Sequence, residues 1–140
     1  MTTNNLYNDY VQMMQKAADM NNAAAVLSWD QEVYMPAKGA GFRGRQIATL
    51  VSAAHEILTS PKMGELLETL HTSEQLTDIE KANIAKSYED HQKHKKLPHS
   101  FVEELSLQTS ECFNAWIDAR KQNNFDVFAP SLAKMVDLKR

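Results

Sequence analysis

Apolar side chains recur at three- and four-residue spacing along most of the chain, which is the period of an α-helix with one buried face. The first such run consists of Leu6, Tyr10, Met13, Ala17, Met20, Ala24 and Leu27. Turn formers are scarce, since the 140 residues include only 4 Gly and 4 Pro, which argues against a many-turned β protein. We expect an all-α fold, a bundle of about five or six antiparallel helices that forms a single domain over residues 1–140.

Local signals predict where these helices begin and end. Asn4 or Asn5 is expected to cap the first helix. Thr77 and Glu80 have the spacing of a capping box, so a helix should begin there and continue to about Leu97. Pro130 is tolerated only in the first turn of a last helix. The remaining predicted spans run from Gly41 or Phe42 to Thr59, from Pro61 or Lys62 to about Leu70, from Pro98 or His99 to about Gln122, and from about Asp126 to the end.

Composition and charge narrow the class of protein. The net charge is −3 and the pI about 5.9, so the chain lacks the basic character of nucleic-acid-binding or anionic-membrane-binding proteins. A single cysteine excludes an internal disulfide framework and suits a reducing compartment. The first residues, Met-Thr-Thr-Asn-Asn, carry no secretory signal, and no apolar run approaches the length of a membrane span. The sequence predicts a cytoplasmic location without nucleic-acid or membrane partners.

The segment between the first two predicted helices is both apolar and acidic, whereas most helix connections are short and polar. Trp29, Tyr34 and Met35 should be buried beneath other parts of the protein. The nearby carboxylates Asp30 and Glu32 need partners there, and two arginines follow. We expect an ion pair between Arg43 and one of these carboxylates, because a cation in the first turn of a helix otherwise opposes the helix dipole. The segment is either a corner that plugs the core or a wall or lid of a functional cleft.

Histidines and carboxylates are the candidates for chemistry. His55 borders an apolar helix face and is interpreted as a core-edge residue, not a metal ligand. His91 and His94 lie three residues apart, near Glu89 and Asp90, which permits a transition-metal pair. Because no fixed third ligand is evident, we interpret this stretch as a solvated helix end. The pair Asp30 and Glu32 could serve acid–base chemistry but is better explained by structural ion pairs.

The single cysteine lies within an apolar seam of the long helix that begins near Pro98. The seam consists of Val102, Leu105, Thr109, Cys112 and Trp116, and it should pack against the first or second helix. We therefore expect Cys112 to be a buried, inert residue. No histidine at a usable helical spacing is available to activate it as a nucleophile.

Several segments resemble the N-terminal region of the carboxypeptidase Taq family, which comprises largely helical zinc metallocarboxypeptidases. The resemblance rests on the run Leu-Ser-Trp-Asp-Gln-Glu-Val-Tyr-Met-Pro at residues 27–36, and on the closing stretch Asn-Phe-Asp-Val-Phe-Ala-Pro-Ser-Leu at residues 124–132. Between and after these runs, the matching residues are Gly39, Ala40, Arg43, Gln46, Leu50, His55, Glu56, Thr59 and the segment 136–140. Val33 departs from the pattern, since a threonine is expected there.

The resemblance implies that the chemistry lies elsewhere. The family holds zinc with a His-Glu-x-x-His helix and a downstream glutamate, but here His55 and Glu56 are followed by Ile57, Leu58 and Thr59. No catalytic, cofactor-binding or metal-binding residue is therefore assigned in this chain. Zinc and a peptide substrate are implied only for a complete family member. There, zinc-activated water would attack the C-terminal peptide bond.

Three functions remain open. The first is an N-terminal portion that covers the substrate groove of such an enzyme or mediates dimerisation, inactive alone, and present as a fragment, a separated domain or a shortened gene product. The second is a free-standing helical interaction module that binds a partner helix or itself through apolar faces, with a homodimer as one outcome. The third is a metal-binding bundle of histidine and carboxylate side chains.

Overall fold

Six α-helices make up most of the protein in a computed structural model that describes residues 2–140. They are α1 (Thr3–Val33), α2 (Ala40–Leu58), α3 (Pro61–His71), α4 (Asp78–His94), α5 (His99–Gln122) and α6 (Ala129–Leu138), with 3-10 turns at Ala37–Gly39 and Phe125–Val127. Residues 2–140 contain no β-strand. The predicted all-α class and helix number are confirmed. Over the same range, no helix combines the length and the apolar character that crossing a bilayer requires.

Helix α2 lies between α1 and α5 and packs along both. Its register against α5 is antiparallel, because Ser52 meets His99 whereas Gly44 faces Ser110. Helices α3 and α4 pack against each other, α3 also packs on α1, and α6 folds back on α5. Helix α5 thus packs on α2, which is one of the two partners that the sequence predicted for it.

The main core lies between the first half of α1, α3 and α4. Its buried residues are Tyr10, Met63, Leu66, Leu67, Leu70, Leu76 and Ile84. The α3 members recur at helical spacing, so one face of this short helix is wholly enclosed. The Tyr10 hydroxyl is 2.7 Å from Ser87 Oγ, which satisfies a polar group inside the core. Burial is the main reason why the pKa of Tyr10 is raised.

Small residues let α1 and α2 approach closely along the other half of the bundle. Ala17 and Ala24 of α1 and Ala48 and Ala54 of α2 are almost fully buried. Close approach of helix backbones requires such side chains at the contact. Of the alanine run that spans residues 23–25, only Ala24 is buried. Apart from Ile47, the fully buried apolar side chains between α1 and α2 are therefore alanines.

The helix ends partly match the predicted ones. The side chain of Thr2, and not Asn4 or Asn5, caps α1 by accepting a hydrogen bond from the Asn5 amide, which corrects that prediction. The capping box at the start of α4 is confirmed. Pro130 lies in the first turn of α6, as expected.

Two boundaries differ more substantially. Helix α1 continues to Val33, so the expected corner lies at the end of a 31-residue helix and not beyond it. Helix α4 ends at His94 rather than near Leu97, because residues 95–97 form turns ahead of Pro98. A residue before proline is restricted to extended conformations, which favours this earlier stop.

Candidate functional site

An arginine at the start of α2 fixes the corner between α1 and α2. Arg43 Nη1 donates hydrogen bonds to the Asp30 carboxylate and to the Leu27 carbonyl oxygen, the latter at 3.0 Å. Its Nε donates to Gln46 Oε1 at 3.2 Å. The predicted ion pair is therefore confirmed, with Asp30 as the partner. Glu32 is exposed and forms no ion pair in the part of the chain that the structure describes.

The expected burial of the aromatic residues at this corner is wrong. Trp29 is 56% exposed and Tyr34 is 72% exposed, and their rings meet edge to face with centroids 5.6 Å apart. Met35 is half-buried, against Gly39. The physical reason is that α1 remains a regular helix past Leu27. Its inner face lies on α2, and none of the described residues covers its outer face.

The last two turns of α1 are thus apolar on two sides. The buried residues Tyr10, Ala17 and Ala24 are seven apart and mark the inner face. Val26, Trp29 and Val33 lie at positions i, i+3 and i+7, and at 100° per residue they project to nearly the opposite side. We call Val26, Trp29 and Val33 the α1 stripe. A helix with apolar residues all around its circumference is normally enclosed on every side.

A second apolar surface lies where α5 turns into α6. A cleft of about 380 Å³ is lined by Trp116, Ala119, Arg120, Asn123, Asn124, Phe125 and Phe128. Trp116 is 47% exposed, so its expected burial in the α5 seam is corrected. Because α5 and α2 are antiparallel and Ser110 faces Gly44 near the start of α2, Trp116 lies beyond that end of α2. Helix α2 therefore does not cover the Trp116 side chain. The turn itself depends on Asn123, whose left-handed backbone (φ 49°) ends α5.

The histidines tie helices together. His55 is buried, and its Nε2–H donates to the Leu97 carbonyl at 3.0 Å, which confirms its interpretation as a core-edge residue. His91 Nδ1–H donates to the Leu58 carbonyl at 2.8 Å. His91 is also buried, so the prediction that it lies at a solvated helix end is wrong. His94 is exposed, as that prediction requires. Gly64 is the residue in the sequence that could have indicated the burial of His91. Its lack of a side chain leaves space for the His91 ring, because a Cβ at this position would lie 3.1 Å from His91 Nε2.

The cysteine lies in the joint between α5 and α6. Its Sγ is 3.1 Å from Ser131 Oγ and 3.2 Å from the Ser131 carbonyl oxygen. Gln108, which is fully buried, donates from Nε2 to the same carbonyl oxygen at 3.0 Å. Cys112 is half-buried and takes part in a polar network, so the expectation of a fully buried apolar residue is corrected.

The sequence of this chain matches the model of a known protein family. The family model described as carboxypeptidase Taq (M32) metallopeptidase matches residues 9–140. The chain belongs to this family. The match includes both the corner between α1 and α2 and the joint between α5 and α6.

Relatives within the M32 family are much longer than this chain. It is 28% identical over 142 residues to Thermostable carboxypeptidase 1 of Thermus thermophilus, covering 99% of this chain and 28% of that protein. The chain is 30% identical over 119 residues to Thermostable carboxypeptidase 1 of Pyrococcus furiosus, and this match covers 85% of this chain and 24% of that protein. The matched region is the N-terminal portion of these enzymes. The chain thus spans about a quarter of the length of the relatives it matches.

Solved structures of M32 carboxypeptidases show the same helical arrangement. The structure described as "The Structure of CHT" is 53% identical with a TM-score of 0.70, and covers 96% of this chain and 27% of that one. "BsuCP Crystal Structure" has a TM-score of 0.92 at 22% identity with the same coverage, which shows the fold alone. Each of the two structures therefore contains a region with the same helical arrangement as this chain.

Zinc, the metal that family membership implies, does not fit the residues present. Across residues 2–140, no group of three or more His, Cys, Asp or Glu side chains is placed to hold a metal ion. His91, His94 and Asp90 line one cavity of about 90 Å³, but Asp90 is bound by Lys86 at 2.7 Å, which lowers the pKa of its carboxyl group. Thr59 occupies the place of a second zinc-binding histidine after His55 and donates its hydroxyl to the His55 carbonyl at 2.8 Å.

Proposed function

We propose that this chain acts as the N-terminal helical portion of a zinc-dependent carboxypeptidase that removes C-terminal amino acids from peptides. The observation that carries the proposal is the family match over residues 9–140, on a region equal to about a quarter of each relative. The chain offers no zinc-binding set within the described residues. We propose that the zinc ligands and the catalytic glutamate belong to polypeptide outside these 140 residues and that the chain alone is inactive.

The proposed role of the helices is to cover or shape the substrate groove, or to mediate dimerisation. Exposed apolar side chains at the end of α1 and at the joint between α5 and α6 support this role, because such groups are usually covered in a complete assembly. We further propose that residues 1–140 form one domain. A cytoplasmic location is also proposed, supported by the single cysteine, which suits a reducing compartment.

A hybrid enzyme tests this function. The N-terminal portion of the Thermus thermophilus relative would be replaced by this chain, and release of C-terminal amino acids from peptides would be measured with and without a metal chelator. We expect the hybrid to be active and chelator-sensitive, and the isolated chain to be inactive. The intact relative is the positive control. Chelator-sensitive activity of the isolated chain, or a folded hybrid that is inactive, would contradict the proposal.

A free-standing interaction module is the second candidate, and the exposed α1 stripe is the observation that favours it. In that case the chain would bind itself or a partner helix without any enzyme. Activity of the hybrid, read together with sedimentation of the isolated chain, separates the two functions. A stable homodimer that forms through the stripe, combined with a folded but inactive hybrid, would favour the module, whereas an active hybrid would favour the enzyme portion.

A further inference from the structure

The α1 stripe has the spacing of a helix that docks into a groove. Anchors at i, i+3 and i+7 are the pattern by which an amphipathic helix fills an apolar groove. Val26 is 63% exposed and Val33 is 53% exposed, so the stripe is open to solvent over its whole length. Tyr34 extends it, because its ring packs edge to face on Trp29. The stripe is therefore a continuous apolar ridge of about two helical turns.

The α1 stripe is held in a fixed orientation by the rest of the chain. Arg43 binds both the Asp30 carboxylate and the Leu27 carbonyl oxygen, so α2 grips α1 within the same turns that carry the stripe. On the inner side, Ala24 is buried against the bundle. A surface that is already ordered loses little conformational entropy when it binds. These contacts present the stripe as a preformed docking element.

The size of the stripe indicates what covers it. Large aromatic side chains bury roughly 150–250 Å² each, so two partly exposed aromatics and two valines offer only a few hundred Å². A stable complex between separate proteins buries about 800 Å² on each partner. The stripe alone is thus too small for a stable dimer of this chain. It is large enough for packing within one folded enzyme, where no second molecule has to be captured.

We propose that the α1 stripe packs into an apolar groove on the part of an M32 carboxypeptidase that lies outside the matched region. This inference rests on the proposed function and names the partner of the exposed surface. The relatives supply such a part, since this chain covers only 27% of the chain in each of the two structures compared. The stripe then acts as an anchor that positions the N-terminal helices on the zinc-bearing portion.

Substitutions on the stripe test the docking in two contexts. Trp29→Gln and Val33→Gln would be introduced into the isolated chain and into the Thermus thermophilus hybrid, because glutamine keeps the helix propensity while it removes the apolar surface. Ile79→Gln is the matched control, since Ile79 is 76% exposed on a different helix. We expect both stripe variants to lower the midpoint of thermal unfolding of the hybrid by about 2 °C relative to the control. In the isolated chain Val33→Gln should leave the midpoint nearly unchanged, and Trp29→Gln should lower it only through the lost contact with the Tyr34 ring. The control should be neutral in both contexts.

The outcomes separate this inference from the proposed function. If the hybrid is active and both stripe variants unfold at the same temperature as the control, the docking is refuted while the proposed function stands. If the hybrid folds but is inactive, the proposed function fails, and its unfolding temperatures still decide the docking. Sedimentation of the isolated chain supplies an independent measurement: a dimer that Trp29→Gln dissociates would overturn the inference in favour of a second copy. The Bacillus subtilis relative, 23% identical, serves as an alternative host if the first hybrid does not fold.

Discussion

Replacement of Arg43 by alanine should lower the free energy of unfolding of the isolated chain by about 2 kcal/mol. The Arg43 side chain is 18% exposed and that of Asp30 is 33% exposed, so their bond is partly shielded from water. A hydrogen bond between charged groups contributes about 1.5–3 kcal/mol, and the bond to the Leu27 carbonyl about 1 kcal/mol more. Removal of a cation from the first turn of α2 offsets up to about 1 kcal/mol of this loss, because the helix dipole makes a positive charge unfavourable there.

Thermal unfolding followed by circular dichroism, together with denaturant titration, measures this loss. For a chain of this size, about 2 kcal/mol corresponds to a fall of about 6–8 °C in the unfolding midpoint. Arg45→Ala is the matched control, because it removes the same charge two residues further along α2. Arg45 is exposed and lies over the Phe42 ring at 5.4 Å. Its loss should change stability by no more than about 0.5–1 kcal/mol.

A double-mutant cycle isolates the ion pair itself. Asp30→Ala and the double variant Asp30→Ala/Arg43→Ala would be measured beside Arg43→Ala. We expect a coupling energy above about 1 kcal/mol, since the two side chains are in direct contact. Strictly additive effects, or an Arg43→Ala variant as stable as Arg45→Ala, would refute the conclusion that this pair fixes the corner between α1 and α2.

Two glycines and a helix cap give the remaining predictions. Gly41→Ala should stabilise the chain by up to about 1 kcal/mol because its surroundings are open, whereas Gly64→Ala should not, because the new Cβ would lie 3.1 Å from His91 Nε2. Thr77→Ala should cost about 1 kcal/mol through loss of the capping box; a cost near zero would show that the box is dispensable. The hydrogen bond from the Thr77 amide lowers the pKa of Glu80 below its ordinary value of 4.5. The stabilisation from this carboxylate is therefore present above that ordinary pKa and is lost as pH falls through the lower folded pKa. In denaturant titrations, the stability difference between Glu80→Gln and the parent chain should therefore be largest at neutral pH and should shrink as the pH is lowered; a difference that does not change with pH would contradict this.

The helices could be predicted because their signals are local. Apolar residues at helical spacing identify α1, α2 and α5 without knowledge of any neighbour. Pro61 and Pro130 mark first turns, and Thr77 with Glu80 marks the start of α4, since each acts through backbone groups a few residues away. The pair of Arg43 with Asp30 also followed from local reasoning, because a cation in the first turn of a helix needs a nearby carboxylate.

Burial could not be predicted equally well, because it depends on distant contacts. Trp29 and Tyr34 look like core residues in the sequence, but nothing in the described chain covers them. His91 lies in a polar run that resembles a solvated helix end, yet α3 encloses its ring where Gly64 leaves space. The ion pair of Arg43 with Asp30 could thus be predicted from the sequence, whereas the exposure of Trp29 and Tyr34 beside it could not. The difference arises because an amino-acid type reports a tendency to be buried and not the surface that buries it.

That zinc chemistry lies outside these 140 residues is tested most directly by the metal content of the purified chain. The chain would be equilibrated with excess zinc, separated from free metal, and analysed for zinc per monomer at a known molecular mass. We predict a zinc content far below one per chain, because the described residues place no three metal-binding side chains together. One tightly held zinc per monomeric chain, lost on substitution of His91 or His94, would contradict the assignment of the chemistry to other residues.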